Sequence, residues 1–169
     1  MRELSPGACW LARQAGYTRP TVTRHPWLKE PLASIPIGRE WEVVRVPGAA
    51  ADRARAHLAA MEAPMGPVLS ESHVRVFLVH PFLHDGRDIP GGVLLTGALG
   101  ERLRCPMPGE ATGMSRFWAV PPDGSGALLD PRLLAGALRA TWAPLPGQDL
   151  IGPRLAQEQC LEEQAGVGT

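Results

Sequence analysis

Between Gly38 and Val79 the apolar residues change from strand-like to helix-like spacing and back. Glu40-Trp-Glu-Val-Val-Arg-Val-Pro47 is rich in β-branched residues. The adjacent Val43 and Val44 predict burial on both faces, as in a central strand. Pro47-Gly48 stops that strand. Ala49 to Met61 is helical by propensity, with Ala54, Leu58 and Met61 as its inward stripe and His57 on the rim. Pro64 to Pro67 turns the chain back. From Ser72 to Val79, Val74, Val76 and Leu78 alternate with Arg75, Phe77 and Val79, which predicts a second strand.

The flanks carry weaker versions of the same signals. Ser5-Pro6 is a helix start, and Leu4, Ala8, Leu11, Ala12 and Ala15 fall on one face before Gly16. Four prolines break Tyr17 to Ile37, which predicts an irregular crossing with a short helical turn from Trp27 to Ala33. Trp27 and Leu28 are expected to plug a core edge. Val93-Leu94-Leu95, Arg102 to Met107 and Arg116 to Val120 read as short strands bounded by Gly and Pro. Asp130-Pro131 opens the clearest amphipathic helix, with Leu133, Leu134, Ala137, Leu138, Thr141 and Trp142. These elements predict one domain over 1–145 and a peripheral or mobile tail over 146–169, where apolar residues hold no single face.

Composition narrows the classes. At 169 residues the chain is long enough for one domain with a real core. Seventeen basic residues balance seventeen acidic ones, which argues against a strong nonspecific nucleic-acid binder but leaves room for a local basic face. Only Lys29 among the basic residues is lysine; with 19 Gly and 18 Pro, this is the composition of a high-GC bacterial gene. The three cysteines, Cys9, Cys105 and Cys160, form neither a disulfide framework nor a metal pair, so a reduced, cytoplasmic setting is expected. No apolar signal core opens the chain, no run of about 18 apolar residues is present, and no membrane partner is expected.

Three constellations bear chemistry. Glu40-x-Glu42 would place two carboxylates on one strand face, where they could share a magnesium ion. His80-x-x-x-His84-Asp85-x-x-Asp88, with His73 upstream, has metal-competent types at no metal-binding spacing, and a solvated loop is expected. Arg45, Arg75, Arg102, Arg104 and Arg116 lie on predicted strands and would offer forked donors to phosphate or carboxylate, with Phe77, Phe117 and Trp118 as stacking surfaces. No Gly-x-Ser-x-Gly elbow and no phosphate-binding glycine loop is present.

The order of elements resembles the N-terminal primase-polymerase domain of bifunctional DNA primase/polymerase proteins, within the archaeo-eukaryotic primase group. Ala8 to Tyr17 is similar to that family's opening helix. Trp41 to Pro47 is similar to its first catalytic strand, and Gly66 to Leu69 with His73 to Val79 to the segment carrying its histidine. Cys105-Pro-Met-Pro108, Gly113 and Phe117-Trp118 resemble its late loop and strand. The resemblance implies an RRM-like core and an Asp-x-Asp pair for the catalytic metals. Arg45 and Pro47 stand at the corresponding positions here, and neither ligates magnesium.

The expected fold is therefore α+β: a mixed or antiparallel sheet of about five strands with helices mainly on one face. The expected function is that of a pseudoenzyme, a noncatalytic module without cofactor that binds DNA, a nucleotide or a protein partner. Arg45, Arg75, His73, Arg102 and Arg104 would contact phosphate. The alternatives are an active nucleotidyltransferase using Glu40, Glu42 and His73 with magnesium, or a small regulatory protein that only makes protein contacts.

Overall fold

The structure is a computed structural model that describes residues 3–37, 40–81, 89–95, 100–110 and 115–142. The expected tail over 146–169, Gly113 and the His84, Asp85 and Asp88 loop lie outside the described residues. The fold is α+β. Helix α1 spans Pro6–Gln14, and Ser5 caps it by accepting the Ala8 N–H at 3.2 Å. Gly7 is where α1 meets the chain at Pro122: a Cβ there would lie 1.8 Å from the Pro122 carbonyl oxygen, so only glycine permits the approach.

The central stretch folds as the expected strand, helix and strand, with one further strand, Val68–Glu71, that the pattern does not predict. Strand β2 (Glu42–Pro47) leads into α2 (Gly48–Ala60), and β3 (Val68–Glu71) and β4 (Val74–Val79) form a hairpin. Strand β4 pairs antiparallel with both β2 and β3, so it lies between two strands that α2 connects, a split β-α-β arrangement. Strands β5 (Val93–Leu95) and β7 (Arg116–Val120) close the edges, giving an antiparallel five-stranded sheet in the order β5-β2-β4-β3-β7.

Burial on both faces of the sheet follows from the side-chain period of two. Val44, Val46, Val68, Phe77 and Val79 pack against Ala51, Ala54 and Leu58 of α2 and against Leu134 and Leu138 of α3 (Pro131–Thr141). Asp130 caps α3 by accepting the Arg132 N–H at 2.8 Å. On the other face Trp41, Val43, Leu69, Val76 and Leu78 pack against Ala8, Leu11 and Ala12 of α1 and against a second sheet. Val43 and Val44 are both fully buried, one in each core, as expected of a central strand.

That second sheet departs from the sequence reading. Strand β1 (Leu32–Pro36) pairs antiparallel with β6 (Arg102–Pro106) as a two-stranded ribbon. The Tyr17 to Ile37 crossing is thus not wholly irregular. Its helical turn is confined to a 3-10 turn at Pro26–Leu28, and the chain is extended from Leu32. Ala33, Ile35 and Ile37 are buried at alternate positions, and Pro36 is tolerated because β1 is an edge strand. Trp27 is buried and donates its indole N–H to the Cys105 carbonyl at 2.8 Å, whereas Leu28 is exposed. Met61 is also exposed, because α2 ends at Ala60 and Glu62 turns away with φ of 53°. Helices cover both faces of the sheet, with α2 and α3 on one and α1 on the other. Among the described residues no helix is long and apolar enough to cross a membrane.

Candidate functional site

A polar hollow opens where the five-stranded sheet meets the ribbon. Its position follows from strand parity. On β2, Arg45 shares a face with Val43; on β3, Glu71 shares one with Leu69; on β7, Arg116 shares one with Trp118. All three residues therefore project toward the ribbon, whose Leu103 and Cys105 turn inward while Arg102 and Arg104, at the alternate exposed positions of β6, border the hollow at its rim. Arg45, Glu71, Arg102, Arg104 and Arg116, with Ile37, Val43, Val76 and Leu103, line a hollow of about 220 Å³.

Glu71 is its hub. The residue is 8% exposed, and its two carboxylate oxygens go to different partners. Oε1 accepts from Arg116 at 2.9 Å and Oε2 pairs with Arg45. Glu71 and Arg116 are register partners on neighbouring strands. Arg45 comes from two strands away, about 9–10 Å at the usual spacing, and reaches over β4 to arrive. Arg116 also donates to the Arg104 carbonyl at 2.8 Å, which ties the sheet to the ribbon. Arg102 is pinned to β1 by two 2.8 Å bonds, to the Ser34 hydroxyl and carbonyl. Arg104 is the loosest arm, with Glu30 at 3.7 Å and a side chain 59% exposed.

Four arginines thus border the hollow in a chain whose formal net charge is zero: Arg45 and Arg116 meet Glu71 inside it, while Arg102 and Arg104 are held at its rim by Ser34 and Glu30. Guanidinium forks match the oxygens of phosphate or carboxylate, and charge-assisted bonds to them are the stronger kind. Cys105 lies under this cluster, and its thiol is pushed up to about 12, chiefly by burial, with Arg116 pulling it down and Glu71 pushing it up. It is an inert core thiol at neutral pH.

The other expected site residues lie elsewhere. Arg75 has the opposite parity on β4, toward the helices. It is held there by Asp52 of α2 through bonds of 3.1 and 3.0 Å, so it does not join the other arginines. His73 is exposed in the two-residue β3–β4 turn, because the strand begins only at Val74 and Ser72 takes φ of 44°. The His73 carbonyl accepts the Gly48 N–H at 2.6 Å. Glu42 is buried opposite Val79 at the far end of β4, six residues and about 20 Å from His73. Glu40 precedes β2, is exposed and accepts from Gln14 of α1 at 3.0 Å. Glu40, Glu42 and His73 are therefore not brought together at one site. Among the described residues, no three of His, Cys, Asp and Glu are grouped to hold a metal ion.

The expected stacking surfaces also disperse. Phe77 is fully buried beneath the helices. Trp118 is half-buried and donates to the Pro106 carbonyl at 2.9 Å. Phe117 is exposed but has the parity of the helix face. Sequence reading named Arg116 within the arginine spread but did not single out Glu71. Its only signal was a carboxylate two residues after Leu69 on a short apolar strand. Comparison with protein-family models, with curated proteins and with solved structures finds no match to this chain.

Proposed function

We propose that the chain is a noncatalytic, primase-polymerase-like module whose arginine-lined hollow binds the phosphate of a nucleic acid or nucleotide. The observation that carries this reading is the convergence of Arg45, Arg102, Arg104 and Arg116 from three strands of two sheets on one concavity. Arg45 stands where the resembled family carries its first metal-binding aspartate, and here that position supplies a cation to the hollow. A site built this way attracts the anion directly instead of through a bridging metal.

The covered sheet limits the mode of binding. RRM domains stack bases on aromatics of an open sheet face. In this chain that face is occupied by α1, Trp27 and the β1–β6 ribbon. Contact through phosphate, with little base stacking, is the mode that remains.

The test is binding of a labelled single-stranded oligonucleotide and of a nucleotide, with a chelator present and salt varied. Binding is expected to survive chelation. Its affinity should fall with salt at a logarithmic slope of roughly −2 to −3, as for about three phosphate contacts. Arg104→Ala should weaken it about tenfold, in line with one charge-assisted bond. Magnesium-dependent binding that vanishes in Glu42→Ala would overturn this reading in favour of the nucleotidyltransferase. No binding at low salt, together with a protein that co-purifies, would favour the regulatory one.

A further inference from the structure

We infer that Glu71 is a built-in occupant of the anion site, which an incoming phosphate must replace on Arg45. This inference rests on the proposed phosphate-binding role of the hollow and concerns how that hollow is regulated. A carboxylate is itself an oxyanion with two acceptor oxygens. Glu71 places both of them against guanidinium groups of the hollow, the position in which an external oxyanion would be held.

The two partners are not equivalent. Arg116 is anchored both to Glu71 at 2.9 Å and to the Arg104 carbonyl at 2.8 Å, and its side chain is 25% exposed. Arg45 has come across β4 to Glu71, and its side chain is 42% exposed. Arg45 is therefore the arm that can leave. Glu71, nearly buried on a central strand pair, stays in place. In the bound state Arg45 turns to the ligand, Arg116 keeps Glu71 neutralised, and Arg104, the loosely held arm at the rim, turns in as a second donor.

Two consequences follow. Freeing Arg45 is a fixed cost for every ligand, so anions of single charge bind too weakly to fill the hollow at ordinary concentrations. A phosphomonoester, carrying close to two charges and three acceptor oxygens at neutral pH, is drawn more strongly by the excess of guanidinium groups and overcomes that cost. The carboxylate also keeps Arg45 and Arg116 from standing uncompensated side by side in the unliganded hollow.

The experiment compares wild type with Glu71→Gln, which keeps shape and removes charge. Inorganic phosphate is titrated calorimetrically, and a 5′-phosphorylated oligonucleotide by anisotropy. Glu71→Gln should tighten both at least tenfold and steepen the salt dependence by about one ion. If Glu71 instead holds the arginines ready for the ligand, the same substitution weakens binding, and the inference fails. Unchanged affinity also overturns it. Should Glu71→Gln not fold, the wild type still decides. On phosphate titration, the side-chain Nε–Hε resonance of Arg45 is expected to shift more than that of Arg116, and the reverse order contradicts the exchange. If wild type and variant both ignore phosphate and oligonucleotide at low salt, it is the underlying phosphate-binding role that fails. If wild type binds and only the tightening is absent, that role stands and the internal occupant does not.

Discussion

The two faces of the central sheet are built from the same alternating strands, yet they do different work. The face under α2 and α3 is apolar across its middle strands, from Val44 and Val46 through Phe77 and Val79 to Val68, with charge at its ends, where Glu42 is buried opposite Val79 and Arg75 pairs with Asp52. The face under α1 and the ribbon is apolar only in part. Beyond Val43, Val76 and Leu69 it gives way to Arg45, Glu71 and Arg116. Helices supply a continuous apolar stripe and can seal a sheet. A two-stranded ribbon covers less, and the seam it leaves can hold a charged, water-accessible site. The first face specifies the fold, and the second lends the fold a place for chemistry.

Substitutions on the two faces should therefore separate stability from binding. Phe77→Ala, which empties a fully buried aromatic position on the helix face, is expected to cost about 3–5 kcal/mol in denaturant unfolding. It should leave the anion affinity of the remaining folded protein unchanged. Leu103→Ala on the ribbon is expected to cost about 2–4 kcal/mol and also to weaken anion binding, because Leu103 lines the hollow between Arg102 and Arg104. Equal effects of the two on binding would erase the distinction between the faces.

A pH series probes the ribbon face through Cys105. The Cys105 thiol has a folded pKa of about 12 against an ordinary 9.0, so the fold favours the protonated form. Its contribution is fully present below pH 9 and is lost as pH rises from 9 toward 12. The slope should be about 1.4 kcal/mol per pH unit in that window. Cys105→Ala should flatten this part of the stability profile in denaturant titrations at pH 8 and 10.5.

Smaller effects are expected at the helix ends and rim. Asp130→Ala removes the α3 cap and should cost about 1 kcal/mol. Asp52→Ala breaks the partly exposed pair with Arg75 and should cost under about 1 kcal/mol, with no change in anion binding.

How far the sequence discloses these two faces differs as well. Strands β2 and β4 and helix α2 are legible because their periods are clean: Val43 with Val44 announces a strand buried on both faces, and Asp130-Pro131 announces α3; the four residues of β3 are too few to show a period. Of the ribbon only β6 is legible; β1 is not, because Pro26, Pro31 and Pro36 mask the alternation of Ala33, Ile35 and Ile37, and proline punctuation outweighs a short period-two signal. The arginines could be named from composition and strand position. Their grouping could not, since Val74, Val76 and Leu78 are as apolar as Phe77 and Val79, and nothing in that pattern says which face Arg75 takes. Glu71 was hidden for a related reason. An acidic residue just before a turn reads as solvated, and only the pairing of β3 with β7 reveals Arg116 opposite it.

The most direct test of the account sets Arg45→Ala against Arg75→Ala, two arginines of adjacent strands that face opposite ways. Both variants are titrated with the same 5′-phosphorylated oligonucleotide at low salt. Arg45→Ala should weaken binding about tenfold or more, and Arg75→Ala should leave it within twofold of wild type. Equal losses, or a loss confined to Arg75→Ala, would contradict the placement of the anion site at the seam between sheet and ribbon.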